Sequence, residues 1–498
     1  MQRHISIVLG FTIILISSNT WAGGIEVGDI GTVAIGRGTA FVARADNPSA
    51  FYYNPAGLSK SKGPNLLLVG NVIHQNVAFQ RKGSGAHIKL SDNGKPDYSS
   101  PCTQADLDSL GCVYDPNMNY SNGITDPQAF EGVSLKKRFG PQPMLVFSWG
   151  GIGPLDDLAL AAGVFVPPGT GTPVFGKKGS QRYVIRGANL IGAFPGVGAS
   201  YAFNRYIQIG AVFLSGIGTF EQNQAIRLIL HPEHLHFNEN SGGDADFEFQ
   251  LKDYFIPTGI IGALSHPLDW LEVGVSVRLP MVIEPKGKVR YAAPEKDMIN
   301  SVLVPGRDAV TMRQFYPLMV RAGLRYIHRV FDIEVDLVWE NWGRFKAEYE
   351  IDARVDDQGM VYDFAAEGEF IKNYRDTYSV RLGGDIEVWP EHIALRLGGF
   401  FASSAYPKNH ETFAIDTPYA QNFGVGGGLT WHTFDFLDVN LGYLHVFQPD
   451  VNVEEGIIQQ MGPTVETADG PRDFGNVVNN GVYEVSLNIF GASLEGHF

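Results

Sequence analysis

The chain has 498 residues and a formal net charge of −15, with 44% apolar and only 18% charged residues. That acidic balance offers no basic face for nucleic acid, which needs lysine and arginine clustered against phosphate, and no polybasic strip for an anionic membrane surface. Glycine (59), phenylalanine (32) and tyrosine (20) are abundant, and no long helical periodicity runs through the chain. The balance favours one large all-β structure over the roughly two to four soluble domains that length alone suggests.

Residues 1–22 read as a secretory signal. Arg3 and His4 supply the positive start, Ile5 to Ile16 form an apolar core, and Ser17, Ser18, Thr20 and Ala22 predict cleavage after Ala22. The apolar run is too short for a spanning helix, which needs about 18 to 20 residues. The next notable stretch, Gly36 to Leu58, is rich in glycine, alanine and turn formers. Gly36 and Gly38 permit close backbone approach, and Asp46-Asn47-Pro48 and Asn54-Pro55-Ala56-Gly57 are turn sequences. On these residues alone it is a loop. Cys102 and Cys112 follow in a polar stretch; in an exported chain they predict a disulfide. The rival, free thiols or a metal pair, lacks a neighbouring histidine or further cysteine at ligand spacing.

From there the sequence alternates between period-two segments and turns. In 331–340, Phe331, Ile333, Val335, Leu337 and Trp339 oppose Asp332, Glu334, Asp336 and Glu340. In 378–388, Tyr378, Val380, Leu382, Ile386 and Val388 oppose Ser379, Arg381, Asp385 and Glu387. About fourteen strands are expected, near 65–80, 142–149, 158–167, 183–203, 205–222, 246–265, 270–289, 311–328, 331–350, 373–389, 391–404, 421–431, 435–448 and 480–498. Parity alone allows either a soluble sandwich, charges outward, or a membrane barrel, charges inward. Connection lengths favour the barrel. Joins at 204–205, 266–269, 328–329 and 390–391 are short, whereas 81–141, 223–245, 290–310, 351–372 and 449–479 are long. An outer-membrane barrel has short turns on one side, long loops on the other and an even strand count. The chain ends on Phe498, with Leu494, Ala492 and Phe490 on the same parity; a terminal aromatic of this kind resembles the signal that such barrels present to their insertion machinery.

Local catalytic signatures are missing. Gly196-Val197-Gly198 and Gly426-Gly427-Gly428 lie in strand-like contexts without a following helix, unlike a dinucleotide fold. No Walker loop, His-Glu-x-x-His or Gly-x-Ser-x-Gly occurs. His231, His234 and His236 could bind a metal but sit in a long loop and read rather as solvated; the paired carboxylates Asp356-Asp357 solvate their acidic loop or meet divalent cations in the lipopolysaccharide layer. No enzyme, cofactor or metal site is expected.

The stretch Gly36 to Ala40, Asp46 and Asn54-Pro55-Ala56 resembles the N-terminal hatch of the FadL family, outer-membrane channels for long-chain fatty acids and aromatic hydrocarbons. Trp339-Glu340-Asn341-Trp342-Gly343-Arg344-Phe345, Tyr374-Arg375-Asp376-Thr377-Tyr378 and Leu395-Arg396-Leu397-Gly398-Gly399-Phe400 are also similar to the family, in the same order. The resemblance implies an all-β transmembrane antiparallel barrel of about fourteen strands in a Gram-negative outer membrane, with 23–62 as a hatch inside the lumen and 63–498 as the barrel. It implies an inward kink near Val166, Pro167 and Pro168 as a lateral exit, and an outer apolar groove at Ile226, Leu228, Ile229 and Leu230 together with about 290–310. By parity Arg278, Arg381 and Arg396, with Arg321 and Arg325, face the lumen, the first three as candidate carboxylate anchors. The expected function is passive transport of hydrophobic compounds, long-chain fatty acids first, in which ligand binding displaces the hatch and opens the wall. The alternatives are a channel for aromatic hydrocarbons of the toluene or xylene type, or an adhesin or structural barrel without transport. Expected partners are those small molecules, lipopolysaccharide, outer-membrane lipid and the insertion machinery.

Overall fold

In the computed structural model the alternating segments form one sheet that closes on itself. The structure describes residues 29–82, 86–90, 96–101, 112–115, 132–136, 139–152, 155–169, 173–227, 244–292, 310–344, 347–353, 367–458, 465–467, 470–472 and 477–498. The signal segment, Cys102 and Leu228 to Leu230 lie outside these residues, and with them the disulfide and most of the outer groove.

Fourteen antiparallel staves make the wall. They are β1 (Gly63–Arg81), β2 (Phe139–Ile152), β3 (Leu155–Phe165), β4 (Gly187–Asn204), β5 (Ile207–Arg227) and β6 (Asp244–Leu268). Next come β7 (Leu271–Arg278, Met281–Ile283 and Lys286–Ala292), β8 (Val310–Tyr316 and Met319–Ile327), β9 (Phe331–Glu340 and Ala347–Ala353) and β10 (Glu367–Ile371 and Thr377–Trp389). The circuit ends with β11 (Ile393–Ala402), β12 (Asn422–Phe434), β13 (Leu437–Phe447 and Val451–Val453) and β14 (Gly481–His497). β14 lies against β1 in continuous register from Asn65↔His497 to Arg81↔Gly481, which closes the barrel. The fourth stave starts at Gly187, later than the alternation suggests, because the amides of Val184 and Ile185 turn back onto the Gln181 carbonyl.

The side chains resolve the parity. On β9, Ile333, Val335 and Leu337 are exposed on the outer face, while Asp332, Glu334 and Asp336 are buried inside. Water would penalise such an exterior, and a bilayer rewards it by roughly 1.5–3 kcal/mol per large apolar side chain. Exposed Tyr206, Trp270, Tyr326, Trp389, Trp431 and Phe434 gather at the short-turn rim, where aromatic side chains bridge lipid and water.

The lumen is filled from the N-terminal side. Residues 29–62 carry α1 (Thr32–Gly36), α2 (Ala50–Tyr53) and a 3-10 turn (Pro55–Lys60), nearly all buried. Asn54 fixes the turn: its side-chain amide donates to the carbonyls of Val42 (2.9 Å) and Ala263 (3.1 Å), and its Oδ1 accepts from the Ala56 amide. Pro55 then starts the 3-10 turn, where no N–H is needed. The wall is glycine where hatch backbone lies against it. A Cβ on Gly398 would sit 2.1 Å from the Arg37 carbonyl carbon, and one on Gly38, at φ +59°, 2.1 Å from the Gly399 amide nitrogen. Neither contact survives a methyl group. Gly38→Ala is therefore expected to undock the hatch and raise single-channel ion conductance in a planar bilayer several-fold above wild type.

Candidate functional site

The hatch is held by carboxylates that the alternation of β9 and β10 aims into the lumen. Glu334 Oε1 accepts the amides of Ala43 (2.6 Å) and Arg44 (3.2 Å), and Asp336 Oδ2 those of Phe41 (2.8 Å) and Val42 (3.1 Å). Four consecutive amides of the hatch thus share two wall carboxylates. Arg37, fully buried, bridges Asp332 (2.7 Å), Glu334 (3.1 Å) and Asp385 (2.5 Å). Arg44 reaches Asp46 (2.8 Å) and Asp385 (2.6 Å), and Lys60 reaches Glu272 (2.9 Å). Below this latch, toward the short turns, a polar void of ≈ 380 Å³ is lined by Arg44, Asp46, Arg325, Asp385, His497 and others.

The arginines read as anchors are placed as follows. Arg381 pairs with Asp29 of the hatch and donates to the Thr39 carbonyl. Arg396 pairs with Asp385 at 2.9 Å and donates to Thr430. Arg278 is buried in the wall. Arg321 lies over the Tyr52 ring at 4.8 Å, and Arg325 bridges Glu272 and Asp332. None of the five lines the apolar pocket on the other side of the hatch.

That pocket encloses ≈ 160 Å³ and is mostly apolar, with Phe194, Ile256, Met281 and Tyr316 among its walls. Its floor reaches the hatch through a chain of rings: Phe194 stacks on Phe165 (5.9 Å between centroids), and Phe165 meets Tyr52 edge-on (5.3 Å). Its rim includes Pro167, Pro168 and Gly169. β3 stops at Phe165, paired with Phe194; Val166 still donates to the Pro143 carbonyl (3.1 Å), and Pro167 and Pro168 then supply no N–H. Residues 173–174 rejoin the edge of β4 at Gly187 and Ala188. Between these points residues 189–193 have no strand partner on the β3 side among the described residues. Ile191 and Ile217, exposed on the outer face, belong to the same void, so it reaches the lipid-facing surface. Ile226 is the penultimate residue of β5, opposite Ala245.

Sequence reasoning missed Arg37 and the pocket walls. A lone arginine between two glycines was the available signal for the first; the pocket joins β4, β5, β6, β7 and β8, which no local pattern connects. Among the described residues no cluster of three or more histidine, cysteine, aspartate or glutamate side chains forms a metal site.

Removing Arg37 takes a guanidinium from three wall carboxylates; Asp332 keeps Arg325 and Asp385 keeps Arg44 and Arg396, but buried Glu334 is left with the Ala43 and Arg44 amides. Arg37→Ala is expected to cost on the order of 3–5 kcal/mol of hatch docking, read as rapid tryptic cleavage at Arg44 in a barrel that otherwise resists protease. Asp29 gives a pH signature. Burial alone would raise its carboxyl, but Arg381, then Arg321 and the Tyr52 hydroxyl, hold it below the ordinary carboxylate value. Such a group stabilises the docked hatch above its free pKa and loses that contribution as pH falls through the docked value. Asp29→Asn is expected to raise single-channel ion conductance at pH 7, the gap from wild type closing as pH drops below the free carboxyl's 3.8.

Comparison with known proteins agrees with this geometry. No curated protein matches the chain. Among solved structures it is similar to a Pseudomonas aeruginosa FadL homologue (15% identity, 96% of this chain and 100% of that one, TM-score 0.67). It is also similar to the Pseudomonas putida toluene transporter TodX (13%, 95% and 99%, 0.61) and the Ralstonia pickettii toluene transporter TbuX (12%, 94% and 98%, 0.60). At such identities these likenesses establish the fold. Residues 13–472 match the family described as "Outer membrane protein transport protein (OMPP1/FadL/TodX)". With that match over most of its length, the chain belongs to this family of outer-membrane β-barrels, which transport hydrophobic compounds and are not enzymes.

Proposed function

We propose that this barrel passes small uncharged hydrophobic molecules, single-ring aromatics first, through the apolar pocket and sideways out beside β4. The observation that carries the reading is the pocket's charge. Its described lining has no lysine or arginine, and its two ionisable acids are Asp253 and Asp416. A ligand carboxylate would enter an apolar void next to like charge without a free counter-ion, which costs several kcal/mol unless it takes up a proton. A cavity of about 150 Å³ holds one benzene ring, and the void here is of that size at ≈ 160 Å³.

Long-chain fatty acids remain the second reading because of Lys372. Its Nζ lies 3.1 Å from Asp416 and 3.2 Å from Thr417, just behind the lining. A fatty acid would have to displace Asp416 to reach it. In either reading Ile226, Leu228, Ile229 and Leu230 serve as the collecting surface, and Val166, Pro167 and Pro168 border the exit. The opening beside β4 coexists with a docked hatch, so sideways release needs no displacement of the plug; the hatch acts as a seal.

The test is uptake of labelled toluene and labelled oleate by cells lacking their own channels, with and without this protein. Toluene uptake is expected to rise several-fold and oleate uptake to stay at background. A rise in oleate alone would replace this reading with the fatty-acid one. No rise in either would leave the chain as a barrel with a surface or structural role.

A further inference from the structure

The wall has a second interruption, between β6 and β7. Their ladder runs from Leu268↔Leu271 to Ile260↔Arg278 and resumes at Lys252↔Lys286. Between those points residues 253–259 and 279–285 have no register with each other. Three bonds span the interval: Leu279 N to the Gly259 carbonyl (2.9 Å), Thr258 Oγ1 to the Leu279 carbonyl (3.0 Å), and Glu284 N to Asp253 Oδ2 (2.8 Å). The first two lie at one end and the third at the other. A side chain therefore stands in for a missing strand partner.

Both edges stay attached on their far sides. β6 keeps β5, through a bulge between Asp253 and Ile256 that throws Tyr254 and Phe255 outward, 74% and 64% exposed. β7 keeps β8, with Met281↔Tyr316 and Ile283↔Gln314. The cause is in the sequence: Pro257 on one edge and Pro280 and Pro285 on the other supply no N–H to a ladder. The interval begins roughly 20–25 Å above the short turns, for a rise of ~3.3 Å per residue and a tilt of ~40°. That is the outer edge of the lipid-facing band.

The two faces of the interval differ. Asp253, Ile256, Met281, Ile283 and Pro285 on its inner side line the apolar pocket. Tyr254, Phe255, Leu279 and Val282 on its outer side are exposed toward lipid. We infer that the β6–β7 seam is a second lateral portal, through which the uncharged ligand of the pocket exchanges with outer-leaflet lipid, across the pocket from the opening beside β4. This rests on the functional reading above. Aromatic side chains at the doorstep suit an apolar passenger, and the bulge lets the edge flex without breaking a continuous ladder.

The test uses the full-length barrel in detergent, with Cys102 and Cys112 replaced by serine, and p-xylene, a single-ring aromatic that fluoresces in the ultraviolet, as the probe. Equilibrium binding is measured first, then release into vesicles carrying a quencher. Phe255→Cys, labelled after folding with fluorescein maleimide, obstructs the seam from outside; Ile191→Cys, labelled likewise, obstructs the β4 opening. Pro257→Val with Pro280→Thr restores two ladder donors. The portal predicts that labelling at position 255 slows release at least three-fold, that the proline pair also slows it, and that labelling at both 255 and 191 slows it beyond either alone. Release at the unlabelled rate after labelling at 255, with labelling at 191 alone reducing it to background, would overturn the portal and leave the functional reading standing. No p-xylene binding by the parent barrel would overturn both.

Discussion

The barrel depends on how its interior acids are balanced. Turning the apolar face to lipid forces Asp332, Glu334, Asp336 and Asp385 into a closed lumen, where an uncompensated carboxylate is untenable. Some of the compensation comes from wall arginines such as Arg325 and Arg396. The rest comes from the hatch, as the guanidinium groups of Arg37 and Arg44 and four amides in succession. The plug is in this sense the missing half of an electrostatic core, and its glycine-for-glycine fit to the wall follows from the need to bring backbone amides within hydrogen-bond reach.

That arrangement divides the interior. On the short-turn side of the latch the void is lined by ionised groups and histidines; on the loop side it is lined by phenylalanine, isoleucine and methionine. An apolar molecule crossing from one to the other would exchange a greasy wall for a charged one. Among the described residues the ladder between β3 and β4 lapses at 189–193, beside the pocket. In the proposed reading, polarity along the axis and this lapse in the ladder together favour sideways movement of an uncharged molecule.

Much of the architecture was legible in the chain because it rests on short-range periodicity. Alternation across 331–340 and 378–388 located staves and assigned their faces once connection lengths had chosen the barrel. The end of β3 at Phe165 was legible from Pro167 and Pro168, because proline acts on its own backbone. What was not legible is non-local. Parity placed Arg381 in the lumen as a candidate anchor, but could not name its partner, Asp29, hundreds of residues earlier in the chain. The β6–β7 interval was concealed differently: Pro257, Pro280 and Pro285 sit inside runs whose alternation is strong enough to read as unbroken strands at 246–265 and 270–289.

The seam between β1 and β14 joins the first stave to be synthesised to the last. Circular closure is therefore impossible until the whole polypeptide has been delivered, and the segment ahead of Gly63 has to be inside by the time the ends zip together. Its anchoring acids come from the middle of the chain, on β9 and β10, so the plug meets its binding surface well before the cylinder shuts. A barrel closed with its amino-terminal segment left outside would deprive Glu334 and Asp336 of the four amides that satisfy them in the docked state.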